Sequence, residues 1–318
     1  MKILANDGLN QTGIDLLENA GFQVLTNRVA QDALASFINE NQIEILLVRS
    51  ATKVRKDLID ACPHLKLIGR GGVGLDNIDV EYAQSKGIKI INTPASSSDS
   101  VAELVMAHLY GMVRFLYDSN RIMPLEGETR FNELKKKYSN GKELRGKTLG
   151  IIGIGRIGQA LARLAYGVGM KVIASDPFYD KQVDISIAFA DGQTLTFSVP
   201  VVDMDTLLAQ SDFISLHVPA SDRPIIGKEE FKKMKAGAGI VNAARGGVVD
   251  EVALLEALDT GKLAYAGLDV FENEPTPAMR VLMHPNVSLS PHIGASTAEA
   301  QERIGEELAN LIISNFKS

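Results

Sequence analysis

The stretch Thr148–Gly158, TLGIIGIGRIG, decides the fold. An apolar strand pattern runs into Gly153-x-Gly155-x-x-Gly158, and an apolar helical pattern follows. The first glycine suits a tight turn, the second lets backbone approach a pyrophosphate, and the third lets the helix pack close to the strand. Phosphates then sit at a helix N-terminus, where unpaired N–H groups and the helix dipole favour negative charge. Arg156 and Ile157 lie inside the motif and complete the predicted cradle. The next strand pattern, Lys171–Ser175, ends at Asp176. That is close to the ~20-residue spacing at which an acid meets the adenine ribose. Such an acid repels the extra phosphate of NADP, so the expected cofactor is NAD. The alternative for Asp176 is a turn residue before Pro177.

Outward from this motif, short apolar runs alternate with helical patterns along the whole chain. The strand patterns before it are Lys2–Ala5, Gln23–Thr26, Ile45–Val48, Lys66–Gly69 and Lys89–Asn92. From it onward come Thr148–Ile152, Lys171–Ser175, Phe213–Leu216, Gly239–Asn242, Tyr265–Leu268 and Val287–Leu289. Helical patterns fall between them, including Gly13–Asn19, Val80–Lys86, Val101–Tyr117, Ile157–Tyr166 and Glu251–Thr260. Such alternation predicts an α/β protein with two doubly wound parallel sheets covered by helices. The polar run NTPASSSDS at Asn92–Ser100 breaks the series, with Asp99 or Ser100 expected to cap the helix from Val101. A second break, SPHIGAST at Ser290–Thr297, precedes a last helical stretch. If that stretch returns to the first unit, the domains are 1–98 with 291–318, and 99–290. Ser119–Asn140, polar and basic with the run Lys135–Lys137, reads either as an arm embracing another subunit or as a solvated loop.

The bulk numbers agree with two domains. There are 318 residues, 45% hydrophobic and 23% charged. That composition excludes disordered, collagen-like and coiled-coil classes. With 33 basic and 39 acidic residues the net charge is −6, no footprint for general nucleic-acid binding. The one cysteine, Cys62, allows no intrachain disulfide and reads as a small core or surface residue. The N-terminus lacks the apolar run of a signal peptide, and no segment approaches the ~20 apolar residues of a membrane span. A cytoplasmic protein is expected.

Three later segments place polar groups just past predicted strands. VNAARGG at Val241–Gly247 carries Arg245. LDVFENEP at Leu268–Pro275 carries Asp269, Glu272 and Glu274. SPHIGAS at Ser290–Ser296 carries His292. Ligands of open parallel sheets bind outside the strands' carboxyl ends. Oxidation of a hydroxy acid by NAD needs a base for the hydroxyl proton, a cation for the carboxylate, and a carboxylate to hold the imidazole. His292, Arg245 and Glu274 supply those types, and the Arg fork suits bidentate carboxylate binding. Spacing alone does not bring them together. No metal site is expected.

These motifs, together with GRGGVGLDNID at Gly69–Asp79 and NAARGGVVDE at Asn242–Glu251, resemble the D-isomer-specific 2-hydroxyacid dehydrogenases. The resemblance runs from VRSATKV at Val48–Val54 to PHIGAST at Pro291–Thr297. It implies a Rossmann-type NAD domain, a flavodoxin-like substrate domain, an active-site cleft between them, and a homodimer or dimer of dimers. It implies substrate binding by Arg245, support of His292 by Glu274, and acid–base work by His292. Asp269 is expected near the nicotinamide, and the loop Gly71, Gly72, Val73 and Gly74 is expected to offer amides to the substrate carboxylate. The motifs are most similar to the branch that oxidises D-3-phosphoglycerate with NAD, the first step of L-serine biosynthesis. Arg49, Arg70 and the Lys135–Lys137 run would then meet a phosphorylated substrate. Alternatives are a dehydrogenase of another D-2-hydroxy acid, such as glycerate or lactate, and an NAD-binding transcriptional co-repressor of the same fold. HVPASDRPIIG at His217–Gly227 departs from the family pattern, and Asp180–Val202 is longer than usual, with DGQT reading as a hairpin turn. The longer members' C-terminal regulatory domain is not expected.

Overall fold

A computed structural model describes residues 1–316. In chain order the first elements are β1 (Lys2–Ala5), α1 (Gln11–Asn19), β2 (Gln23–Leu25), α2 (Leu34–Asn41), β3 (Ile45–Val48), α3 (Lys56–Ala61), β4 (Leu67–Arg70), α4 (Val80–Ser85) and β5 (Lys89–Asn92). Then come α5 (Ser98–Val113), α6 (Leu116–Lys137), β6 (Thr148–Ile152), α7 (Arg156–Gly167), β7 (Lys171–Ser175), β8 (Gln182–Ala188) and β9 (Thr194–Pro200). The rest are α8 (Met204–Gln210), β10 (Phe213–Leu216), α9 (Lys228–Lys233), β11 (Ala238–Asn242), α10 (Glu251–Asp259), β12 (Leu263–Leu268), α11 (Met279–Leu282), β13 (Val287–Leu289) and α12 (Ala298–Phe316).

The chain divides into two compact units, Met1–Ser100 with the stretch from Ala295, and Val101–Gly294. These limits lie a few residues beyond those expected, because Asp269 of the second unit holds the amides of Ile293 and Gly294.

In the first unit the parallel sheet has the order β2-β1-β3-β4-β5, the flavodoxin-like arrangement. Alternation along each strand sorts the core into two layers. Leu4, Leu46 and Ile68 face Leu34, Ile38 and Leu58 of α2 and α3. Ile3, Ile45 and Leu67 face the other way, with Leu17 of α1 and Ala309 and Ile312 of α12. A Cβ added at Gly13 would lie 2.7 Å from the Gly305 carbonyl oxygen, so α1 and α12 meet at backbone distance.

The second unit holds the parallel sheet β13-β12-β11-β10-β6-β7. Strand order reverses between β6 and β10, the switch point outside which open α/β sheets bind ligands. One core layer gathers α8 to α11, the other α5 and α7. The place of a further strand beside β7 is reduced to one parallel bridge, Ala174 with Val201. Ahead of that bridge β8 and β9 form an antiparallel hairpin closed at Asp191-Gly192. Its strands expose most side chains, so neither carries the apolar run that marks the others.

Two expectations are corrected. α5 begins at Ser98, so Asp99 and Ser100 sit in its first turn instead of capping it. Most of Ser119–Asn140 is helical, as α6, rather than a solvated loop. Glu126 and Glu133 both pair with Arg130, and Lys137 meets Asp118 at 2.7 Å. Lys135–Lys137 form the last turn, where cations oppose the helix dipole. Arg130 has non-helical backbone angles, so α6 is two helical segments meeting there, and the Lys137–Asp118 pair ties the second back to the first, which contains Pro124. Among the described residues no helix is long and apolar enough to cross a membrane.

Candidate active site

The cradle follows β6. Gly153 has φ +91°, and a Cβ there would lie 2.4 Å from the His217 carbonyl oxygen. A Cβ at Gly158 would lie 2.3 Å from the Gly153 carbonyl oxygen, so α7 leaves the turn at van der Waals limit. At Gly155 there is open space, and no side chain caps α7, which starts at Arg156 and Ile157. Its first-turn amides are therefore left for an anionic ligand. Asp176 reaches both ways, accepting from the Ile154 amide at 2.8 Å and from the Phe178 amide at 2.9 Å. It thus ties the cradle to the end of β7 as well as turning the chain after Pro177.

His217, past β10, accompanies the cradle. Its Nε2 lies 3.0 Å from Ser215 Oγ, while Nδ1 is sealed from water without a hydrogen-bond partner. Burial pushes its pKa down to about 3, so the ring is neutral. The glycine cradle, open at its middle glycine, fits a dinucleotide.

The loops after β11, β12 and β13 bring the predicted polar groups onto the same sheet edge. Arg245 follows β11, its turn closed by Asn242, which donates to the Arg245 carbonyl at 2.8 Å and accepts from Ala244 at 3.1 Å. A Cβ at Gly246 would lie 1.9 Å from the Phe271 carbonyl oxygen, so the arginine loop touches the loop leading to Glu274. Glu274 accepts from the Phe271 amide at 3.0 Å with Oε1, and its Oε2 lies 2.8 Å from His292 Nδ1. Glu272 serves elsewhere: it accepts from the Glu251 amide at 3.0 Å while Glu251 accepts from its amide at 2.9 Å, closing the start of α10.

Asp269, expected beside the nicotinamide, is sealed at 1% exposure. Its Oδ1 accepts from Ser290 Oγ at 2.6 Å and the Ile293 amide at 2.9 Å, and its Oδ2 from the Gly294 amide at 2.9 Å. Its carbonyl takes the His292 amide at 2.7 Å. Asp269 is therefore spent on folding the histidine loop, and this was not legible in its place after β12. His292 itself has φ +53°, a left-handed backbone unusual for a residue with a Cβ.

In the first unit Arg49 follows β3 and Arg70 ends β4, its neighbour in the sheet. Arg70 Nη1 lies 2.1 Å from where a Cβ of Gly72 would stand, so the guanidinium lies across the glycine loop. The loop offers fewer amides than expected. Gly71 donates to the Val48 carbonyl at 2.9 Å and Gly72 to Thr93 Oγ1 at 2.8 Å. Val73 and Gly74 remain as the candidate donors. Asp7, unsuspected in the sequence, holds the Arg49 amide at 2.6 Å and the Thr52 hydroxyl at 2.7 Å.

Known proteins agree with this architecture. Residues 106–294 match the family model described as the D-isomer specific 2-hydroxyacid dehydrogenase NAD binding domain. A hydroxypyruvate reductase of Thermotoga maritima is 46% identical over 98% of this chain and 97% of its own length. A D-3-phosphoglycerate dehydrogenase of Methanocaldococcus jannaschii is 43% identical over 98% of this chain, which spans 57% of that protein. Among solved structures, the D-lactate dehydrogenase of Aquifex aeolicus, complexed with NAD and lactic acid, superposes with a TM-score of 0.75 at 30% identity, covering all of this chain and 96% of that one. The cofactor is NAD. With matches of this length and a nucleotide edge of this design, the chain belongs to the D-isomer-specific 2-hydroxyacid dehydrogenases.

Proposed function

We propose that the protein oxidises a three-carbon D-2-hydroxy acid with NAD, D-3-phosphoglycerate being the substrate. The observation that carries the reaction is the His292–Glu274 pair at 2.8 Å, at the sheet edge that also bears Arg245. Glu274 engages Nδ1, so Nε2 is the ring atom left to take the substrate hydroxyl proton. Arg245 binds the carboxylate, and its guanidinium polarises the carbonyl that forms. NAD, when bound, would supply the hydride acceptor for C2 of the substrate. Gly153, Gly155, Arg156, Ile157 and Gly158 hold the pyrophosphate, and Asp176 accepts from the adenine ribose. Arg49, Arg70, Val73 and Gly74 complete the binding of the anionic substrate.

The phosphorylated substrate is favoured by Arg49 and Arg70 beside one glycine loop, a cation supply that an unphosphorylated acid does not require. A second reading, reduction of hydroxypyruvate, is favoured by the 46% identity to a hydroxypyruvate reductase over nearly its whole length. Steady-state kcat/KM for D-3-phosphoglycerate beside D-glycerate, with the reverse reactions of the two oxo acids, separates them. Preference for the phosphorylated pair by tenfold or more is expected, about 1.4 kcal/mol. Equal or better use of glycerate and hydroxypyruvate selects the second reading.

A further inference from the structure

His108 is the buried titratable side chain of α5, among Val101, Val105, Met106, Leu109 and Met112. A buried imidazole is costly unless its nitrogens are paired. Both are: Nδ1 lies 2.8 Å from Ser288 Oγ and Nε2 lies 2.9 Å from Ser290 Oγ. Ser288 and Ser290 are two apart along β13 and its continuation, so they share a face. Gly267 on the neighbouring β12 makes room for the ring, since a Cβ there would stand 3.0 Å from the His108 Cβ.

The hydrogen-bond order in this cluster is fixed by chemistry. A carboxylate only accepts, so the Ser290 hydroxyl donates to Asp269 at 2.6 Å. Ser290 Oγ must then accept from Nε2–H of His108, which makes Nδ1 the acceptor of the Ser288 hydroxyl. Burial holds the His108 pKa below its ordinary value, against the raising pull of Asp269, and so keeps the one-proton ring this order requires. The chain of bonds ends on Asp269, whose carboxylate and carbonyl fix the amides of His292, Ile293 and Gly294. A left-handed residue with a Cβ costs about 1–2 kcal/mol and persists where its surroundings over-determine it.

We infer that His108 is a positioning residue for His292, acting through Ser290 and Asp269 to hold the left-handed loop that sets the imidazole against Glu274. This rests on the reading of His292 as the acid–base. A plain packing role for His108 predicts lost stability with kcat unchanged per folded molecule. A positioning role predicts a selective loss in kcat that follows the bond order. Ser290 lies on the path to Asp269 and Ser288 does not.

The test compares His108→Leu, His108→Gln, Ser290→Ala and Ser288→Ala in the full chain, with kcat and KM per folded molecule. Hydrogen exchange of the His292, Ile293 and Gly294 amides is measured beside the kinetics. His108→Leu and Ser290→Ala are expected to lower kcat between about tenfold and 10²-fold, the cost of a slight misplacement of a reacting group. KM for NAD should stay within twofold, and the His292, Ile293 and Gly294 amides should exchange faster. Ser288→Ala should leave kcat and exchange unchanged. His108→Gln, which keeps a donor toward Ser290, should recover most of kcat. If His108→Leu fails to fold, Ser290→Ala against Ser288→Ala decides alone. Equal effects of those two, or unchanged exchange in Ser290→Ala, overturn the inference. Active His292→Ala with faster exchange in Ser290→Ala would instead overturn the acid–base reading and leave the loop-holding role standing.

Discussion

The glycine cradle after β6 and the histidine loop after β13 share one sheet edge but are held by different means. The cradle is secured by near neighbours: Gly153 turns at φ +91°, Gly158 packs on Gly153, and Asp176 takes the Ile154 amide across one strand. The histidine loop is secured by distant ones: Asp269, Glu274 and, through Ser290, His108 of α5. Backbone geometry alone builds a phosphate seat, because its ligands are amides. A proton-transfer group must have its ring placed as well, and that takes side chains from several elements.

The comparison can be broken most forcefully at the histidine. His292→Ala should lower kcat by about 10²–10⁴-fold with KM for NAD nearly unchanged. A near-normal kcat would remove the loop from the chemistry. The cradle should respond in the opposite sense. Gly153→Ala places a Cβ 2.4 Å from a backbone oxygen at a positive φ. It should cost about 1–3 kcal/mol of stability and raise KM for NAD several-fold, with kcat at saturation less affected. An unchanged melting temperature and KM would mean that the turn has slack.

The smallest effect concerns acid. The folded pKa of His217 is depressed to about 3, against about 6.5 when unfolded. Below about pH 6.5 the unfolded chain therefore binds the extra proton, and stability falls as pH falls toward 3, by about 1.4 kcal/mol per pH unit at most. His217→Gln should flatten the slope of unfolding midpoint between pH 7 and pH 5. The same slope in both proteins would assign acid sensitivity to other groups.

This contrast also explains what could be read from the sequence. The strands of both sheets, such as Ile45–Val48 and Thr148–Ile152, announced themselves because strands buried on both faces are continuous apolar runs. The cradle was legible because its glycines are local to one turn. α6 was not, since Pro124 and Gly127 read as breakers and its stabilising ion pairs form only once the helix exists. β8 and β9 were hidden by their exposure, although the turn between them was visible. Glu274 and His292 were found as residue types past strands, yet the clamp behind them joins His108 to Ser290, 182 positions apart. No periodicity reports such a contact, and the hold of Asp269 on the amides of Ile293 and Gly294 was hidden for the same reason.

The seating of α12 on α1 has a consequence for biosynthesis. The second unit is one uninterrupted segment, so every side chain of its core has been translated once the ribosome passes Gly294. The first unit must wait. Until Ala298–Phe316 has been made, Ile3, Leu17 and Ile45 lack the Ala309 and Ile312 surface that completes their layer. The unit begun first is therefore finished last, and during translation its α1 side is an apolar surface open to whatever shields nascent chains.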